Sequence, residues 1–400
     1  MRIYYTEPWR REFDATVTLA TPEASRLRVR LDATAFYPTS GGQPFDTGTL
    51  GAARVVDAVE ADDGEVDHVV EGKLSVGDRV HGRIDWNRRF DHMQQHTGQH
   101  VLSAAFAHLH QARTESFHLG GAFSTIDLGR EVSPVQIAEA EAEANRIVWE
   151  DRPVTIRFVT ADEAARLPLR KEPAREGTLR LIDVEGFELS ACGGTHVSRT
   201  GQIGIVAVRA WERFRGGTRV EFLCGGRALD AWREYRDAVT GTVRLVSVLP
   251  KELPAGIERL LAEGRDAKKA IKALAQKLAS HEAGALSARA ETVGGTRVVA
   301  EVVDGYDVAS LRTLASSIVA APEHLVLLVS HERPVLVALA RSADVAIDCA
   351  TCLRELTGRF GGRGGGKAEL AQGGGLEAAP GEVLATGRAA LRQALDANRV

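Results

Sequence analysis

The 400-residue chain predicts an α+β protein made of several units, and three observations carry that expectation. Apolar and polar residues alternate between turn signals from about residue 14 to 85, the period turns helical near Phe90, and strand and helix patterns alternate again over the last hundred residues. The expected parts are a small β-barrel-like domain over 1–88, an α+β domain over 89–225, a helical spacer over 226–292 and a C-terminal α/β domain over 293–400.

In the first part, Arg26-Leu27-Arg28-Val29-Arg30-Leu31 shows the strand alternation, with Gly41-Gly42, Gly48, Gly51, Asp63-Gly64 and Gly77 as turn punctuation. From Phe90 through Phe106 the chain runs without Pro and predicts a helix. A second helix is expected from Pro134 to Glu150, because Pro134 suits a first helical position after Ser133 and Ile137, Ala140, Ala144 and Val148 recur at helical spacing. Short strands follow at Val154 to Phe158, Leu179 to Val184, Ile203 to Arg209 and Arg219 to Leu223. The spacer is rich in Ala, Leu, Lys, Arg and Glu, with a break at Pro250 and Pro254. Within it, positions 260, 264, 267, 271, 274, 278, 281, 285 and 288 step by four and three, carrying Leu260, Ile271, Leu274 and Leu278 but also Gly264 and His281. A coiled-coil seam that makes a homodimer and a helix lying on a neighbouring domain are equally open readings. The C-terminal part predicts strands at Arg297 to Val302, Leu325 to Val329 and Val335 to Ala340, with helices from Asp307 to Ala320 and Asp344 to Leu356.

Composition removes several classes. The longest apolar run is the six residues Val335 to Ala340, against roughly 20 for a bilayer span. The N-terminus lacks the basic and apolar stretches of a signal peptide, so a cytoplasmic location is expected. A net charge of -4 excludes coating of nucleic acid by bulk electrostatics. Two local basic stretches remain, Arg166, Arg170, Lys171, Arg175 and Arg180, and Arg209, Arg213, Arg215 and Arg219; each by itself reads as a solvated face. Four Cys are too few for a disulfide framework, which leaves metal binding or burial. Cys349-Ala-Thr-Cys352, a lone CxxC in a helical stretch, reads as two buried thiols, and Cys224 as core.

His96 and His100 lie one turn apart on the first predicted helix, so two imidazoles share one face. Cys192-Gly193-Gly194-Thr195-His196 repeats the spacing in a segment whose glycines allow a tight, non-helical turn. Two His with a Cys and a His suit tetrahedral Zn2+. His92, a turn before His96, reads as a surface or supporting residue more than as a ligand. A full set of four ligands also suits a structural site; the Gly-Gly turns and the hydroxyls of Thr97, Ser116 and Thr195 favour a catalytic one.

His96-Thr-Gly-Gln-His100, Cys192-Gly-Gly-Thr-His196 and the intervening Leu167-Pro168-Leu169-Arg170-Lys171 resemble the editing domain of alanyl-tRNA synthetase and its stand-alone AlaX relatives. Phe36-Tyr37-Pro38-Thr39-Ser40-Gly41-Gly42-Gln43-Pro44 resembles that family's glycine-rich β motif, and Gly361-Gly362-Arg363-Gly364-Gly365-Gly366 with Ala371-Gln372-Gly373-Gly374-Gly375 resembles its DHHA1 domain. The resemblance implies hydrolysis of tRNA(Ala) mischarged with serine or glycine. With no aminoacylation domain expected upstream, editing would run in trans. It implies Zn2+ on His96, His100, Cys192 and His196, polarising the ester or binding water, or mainly orienting substrate. Thr39 would hydrogen-bond the serine hydroxyl, an interaction alanine cannot make. Gln43 and His118 would position water or the terminal adenosine, and the amides of Gly41-Gly42 and Gly193-Gly194 an oxyanion. Arg170, Lys171, Arg363 and Lys367, with Arg359, would meet tRNA phosphates, the last three beside a glycine run that forms either an anion-binding nest or a packing loop. That run is not a P-loop, because Ala368 stands where a hydroxyl must bind Mg²⁺. Two other readings stay open: an inactive tRNA-binding factor with structural zinc, and a zinc hydrolase of a small ester or amide.

Overall fold

A computed structural model describes residues 1–170 and 177–397. The chain forms two compact units, Met1–Thr242 and Val243–Val400, a coarser division than the four parts expected from sequence.

In the first unit, strands β1 (Glu12–Glu23), β2 (Arg26–Leu31), β3 (Gly48–Leu50), β4 (Ala53–Glu60), β5 (Val66–Glu71) and β6 (Arg79–Ile84) close into a barrel in the order β1-β2-β5-β4-β3-β6. Alternation turns Phe13, Ala15 and Val17 of β1 and Val80 and Ile84 of β6 inward, onto a core with Val29, Leu50 and Val70. One imidazole shares that interior. His68 donates from Nδ1 to Val29 O at 3.0 Å, and its Nε2 accepts from Thr34 Oγ1 at 2.8 Å. Both nitrogens are satisfied in the neutral ring, and burial pushes the His68 pKa down to about 4.

Helix α1 (Trp86–His110) leaves the barrel at Asp85, whose carboxylate caps it by accepting from Arg88 N. It is buried from His92 to Phe106, packed against α2 (Pro134–Trp149) and a four-stranded sheet. That sheet comprises β7 (Thr114–Leu119), β8 (Ser124–Leu128), β12 (Val206–Phe214) and β13 (Gly217–Cys224), in the order β12-β13-β8-β7. Gly98 permits the contact: a Cβ there would lie 2.2 Å from Cys224 Sγ. Ser133 and Gln136 form a capping box on α2 with Pro134 in the first turn, as the sequence predicts. Between α2 and β12 lie β9 (Val154–Val159), the single turn α3 (Ala161–Ala164), β10 (Leu179–Val184) and β11 (Glu188–Ala191), the strands forming a sheet ordered β11-β10-β9. The strand expected from Ile203 begins instead at Val206, because Thr200–Ile203 is a 3-10 turn tied down by Thr200 Oγ1 donating to Ile147 O at 2.7 Å.

Arg89 joins helix to barrel. Fully buried, it donates from Nε to Asp46 Oδ1 at 2.9 Å and from Nη1 to Pro8 O at 2.7 Å, and its Nη2 meets Ala35 O and Asp46 Oδ2.

Helix α4 (Gly225–Val246) spans the boundary between the units, and α5 (Leu253–Ala288) follows with Pro254 in its first turn. All nine stepped positions of α5 are exposed; the buried residues near its end are Ala279, Ala283 and Leu286, packed with Leu311, Leu314 and Ile318 of α6 (Val308–Ile318). The end of α5 thus lies on a helix of the same unit, while its stepped positions stay exposed. A six-stranded sheet comprises β14 (Glu291–Val293), β15 (Thr296–Val303), β16 (His324–Ser330), β17 (Val335–Arg341), β18 (Arg363–Gly366) and β19 (Leu370–Leu376), in the order β14-β15-β16-β17-β19-β18. Only β15 and β16 pair in parallel. Every residue of β16 is buried, which fits apolar cover on both sides. Leu325 and Leu327 share one core with α7 (Cys349–Phe360) and α8 (Pro380–Ala397), and Val326 and Leu328 another with α6.

Two expectations need correction here. Helix α7 starts at Cys349 instead of Asp344, because Asp348 is its N-cap, accepting from Ala350 N and Thr351 N. Most of the glycine run is strand, not loop: Arg363–Gly366 is an edge strand paired with β19, and Gly361 and Gly362 precede it at positive φ. Glycine there is a packing requirement, since a Cβ on Gly364 or Gly373 would come within 2.9 or 3.0 Å of Leu353 of α7. Cys349 and Cys352 are free and buried, as expected. No helix among the described residues is long and apolar enough to cross a membrane.

Two stability measurements follow from these contacts. Asp46→Ala strands the buried Arg89 charge, and should lower unfolding stability by about 3–5 kcal/mol in urea titration. For His68, the unfolded chain takes up a proton below its ordinary pKa near 6.5, whereas the folded barrel refuses it until about 4. The stability it confers is intact above pH 6.5 and drains away as pH falls towards 4, to a limit of about 3 kcal/mol. The stability difference between wild type and His68→Gln should shrink over that window.

Candidate metal centre

Helical spacing puts the His96 and His100 rings on one face of α1, centroids 5.2 Å apart. The turn after β11 brings Cys192 and His196 to the same point, with His196 4.4 Å from the His96 ring and 4.7 Å from that of His100. One donor atom from each of the four lies within 4.8 Å of the others. Gly194 allows the turn to close over the helix: a Cβ there would fall 2.1 Å from His96 Cε1.

Each imidazole is held from behind through Nδ1. His96 Nδ1 meets Gln43 Oε1 at 2.9 Å, His100 Nδ1 meets Glu188 Oε2 and Ser190 Oγ at 3.2 Å, and His196 Nδ1 meets Thr97 Oγ1 at 3.2 Å. The Nε2 atoms of His96 and His196 face inward, each 3.4 Å from Cys192 Sγ. Gln43 is itself clamped, its Oε1 accepting from Thr195 N at 3.0 Å and its Nε2 donating to Thr195 Oγ1 at 2.8 Å. Arg170 completes a relay, donating from Nε to Glu188 Oε1 at 2.9 Å. Burial opposes ionisation of Cys192, yet His96 and His196 hold its thiol well below the usual range. Burial likewise opposes charge on Glu188, but the neighbouring His100 and Arg170 hold its carboxyl below the usual range. Three imidazoles with their outer nitrogens occupied and one thiolate-prone sulfur, all converging, fit zinc in both donor chemistry and supporting shell.

A cavity of about 640 Å³ opens over this cluster, its wall including Tyr5, Tyr37, Ser40, Phe158, Arg180 and Gly193. Of the residues expected from sequence, His96, His100, Cys192, His196 and Gln43 come together. Thr39 departs from the expected buried hydroxyl: it is exposed, its N–H donates to Ala58 O, and Tyr37 and Ser40 line the cavity in its neighbourhood. His118 is also exposed, because strand alternation on β7 turns Phe117 toward His96, ring centroids 5.8 Å apart. Arg170 is engaged with Glu188, and Lys171 lies outside the described residues. Arg363 and Lys367 are exposed on and beside β18 of the second unit. Gly194 N donates to Cys192 Sγ at 3.4 Å, so that amide is not free for an oxyanion. Ser116 pairs with Asp127 at 2.6 Å, and His92 is buried outside the cluster. Glu188 and Ser190 escaped the sequence reading; their signal is the period of two, Glu188, Ser190, Cys192, which puts three polar side chains on one face of an otherwise apolar edge.

Fold and site define the editing type of domain found on aminoacyl-tRNA synthetases: residues 13–88 match the family described as tRNA synthetases class II (A), and residues 179–221 match the threonyl and alanyl tRNA synthetase second additional domain. The alanyl-tRNA editing protein AlaX-L of Pyrococcus horikoshii is 32% identical over 398 residues, covering 96% of this chain and 96% of its own. The chain belongs to this family of AlaX-type alanyl-tRNA editing proteins. The alanine–tRNA ligase of Pyrococcus abyssi is 33% identical over 93% of this chain, which spans only 41% of that ligase. Likewise, that of Methanothrix thermoacetophila is 35% identical over 94% of this chain and 42% of its own length.

Gln43→Leu and Glu188→Ala are each expected to weaken zinc binding about 10- to 100-fold, measured by competition with a chromogenic chelator. His118→Ala should leave it unchanged.

Proposed function

We propose that the chain is a zinc-dependent aminoacyl-tRNA hydrolase that removes serine, and glycine, from mischarged tRNA(Ala) in the cytoplasm. One observation carries this reading: three buried imidazoles, each fixed through Nδ1, and the partly buried sulfur of Cys192 cluster at the wall of an open cavity. Membership of the AlaX family supports the substrate class. Zinc held by His96, His100, Cys192 and His196 would supply Lewis-acid polarisation of an ester carbonyl or of water.

The protein groups do the positioning. Gln43 holds His96 and Thr195 in register with one side chain, and the Arg170–Glu188 pair fixes the His100 ring. Selection of serine over alanine needs a polar partner for the hydroxyl inside the pocket. Ser40 and the Tyr37 hydroxyl, which donates to Ser40 O at 3.0 Å, stand on the cavity wall where Thr39 does not. In the second unit, the exposed Arg359, Arg363 and Lys367 around β18 support a DHHA1-like, tRNA-contacting role. The exposed Leu260, Ile271, Leu274 and Leu278 support a homodimer through α5.

The test is deacylation of Ser-tRNA(Ala) and Gly-tRNA(Ala), with Ala-tRNA(Ala) and Thr-tRNA(Thr) as controls. Wild type should release serine fast and alanine slowly, and Cys192→Ala should lose activity together with bound zinc. A folded, fully zinc-loaded protein inert toward all four would refute the assignment.

A further inference from the structure

Arg180 belongs to a basic stretch that reads as a solvated face, yet it is only 8% exposed. It sits on β10 and donates from Nε to Tyr5 O at 2.8 Å and from Nη1 to Cys192 O at 2.6 Å. Both acceptors are neutral carbonyls. Its Nη2 is buried with no hydrogen-bond partner, and no carboxylate pairs with it among the described residues. Arg89, the other deeply buried arginine described above, has Asp46 as a counter-charge as well as its carbonyls. Arg2, on the same cavity wall, is also committed, to Glu60 at 2.7 Å and to the Tyr5 hydroxyl at 3.0 Å. The nearest negative group is the thiolate-prone Cys192 sulfur, and it leaves Nη2 idle. A guanidinium kept out of water with an unpaired N–H and no carboxylate among the described residues is costly unless an anion arrives.

What lies beside it narrows the anion. In the antiparallel register of β9 and β10, Arg180 is directly opposite Phe158. Residues so paired share one face of the sheet with Cβ atoms about 4.5–5.5 Å apart. Both line the cavity, and Phe158 is 50% exposed, an apolar ring left open at the wall. Exposed aromatic rings next to a cation suit a base stacked beside its phosphate. The aminoacyl group itself carries an ammonium, which a cation repels, so Arg180 faces the nucleotide end of an acyl ester and not its amino end. Arg180 also grips Cys192 O, which puts this seat next to the metal cluster where the ester must lie.

We propose that Arg180 and Phe158 form the seat for the terminal nucleotide of the acylated RNA, Arg180 taking a phosphate through Nη2 and Phe158 stacking the base. This rests on the hydrolase reading above, which it extends by assigning the nucleotide subsite.

The experiment titrates the full-length, zinc-loaded protein with adenosine 5′-monophosphate, adenosine and inorganic phosphate by calorimetry. Wild type should bind the monophosphate at least about 10-fold more tightly than adenosine, the range of a charge-assisted hydrogen bond, and inorganic phosphate far more weakly. Arg180→Gln should erase that preference while leaving adenosine binding in place, and Arg180→Lys should keep part of it. Phe158→Ala, on an exposed side chain, should weaken both nucleosides alike by about 5-fold or more, and Phe158→Trp should not. Zinc content and Tm accompany each variant, so a change confined to the phosphate preference separates nucleotide contact from the structural tether on Cys192. Equal binding of monophosphate and adenosine by wild type overturns the proposal, even if neither Arg180 variant folds. So does inorganic phosphate matching the monophosphate, which would leave an anion site with no base. Fast deacylation of Ser-tRNA(Ala) without a phosphate preference refutes the seat alone. The expected preferences in a protein that deacylates nothing support the seat and refute the hydrolase.

Discussion

One guanidinium, that of Arg89, decides where the His96–His100 side of the cluster stands. It occupies the second turn of α1, seven residues before His96, and reaches the carboxylate of Asp46 and the carbonyls of Pro8 and Ala35. Those acceptors belong to three separate segments of the barrel region, and none is otherwise near the helix in sequence. A charge so completely withdrawn from water is tolerable only with all of its donors matched, which makes the alignment between helix and barrel close to all-or-none. Gln43, three residues before Asp46, is delivered to His96 by the same alignment.

The cluster shows a similar economy. His96 leans on the barrel through Gln43, His100 on β11 through Glu188 and Ser190, and His196 on α1 itself through Thr97. Three different parts of the unit therefore fix three rings, and each occupies Nδ1 so that Nε2 turns inward. Such a site is preorganised by the fold around it, and its weak points are hydrogen bonds one step removed from the donors. Arg180 is the exception to this completeness, with a donor left idle where the cavity opens.

Local chemistry was legible in the sequence wherever a pattern is short. The barrel strands follow from their alternation, α2 from Pro134 behind a Ser cap, and the clustering of His96, His100, Cys192 and His196 from two four-residue spacings and a glycine turn. Long-range placement was not. Thr39, Gln43 and His118 were all candidates from sequence, but a side chain's facing depends on strand register, and one residue's step turned His118 out and Phe117 in. Basic residues were the least legible of all. Arg170 became a buttress for Glu188 and Arg180 a buried cavity wall, because a long side chain's fate depends on which acceptors the fold brings within reach.

By itself the sequence determined the element types, the donor set and the family resemblance, since all three are written in residue kinds at short spacing. The tertiary structure alone decided which polar residues stand behind the donors, which basic groups are spent within the fold, and which ones face the cavity. They include contacts across 53 and 175 positions of chain, between Gln43 and His96 and between Tyr5 and Arg180, and no local propensity encodes them. They exist because burying a polar atom without a partner is unfavourable, a condition that only the assembled unit can meet or leave open.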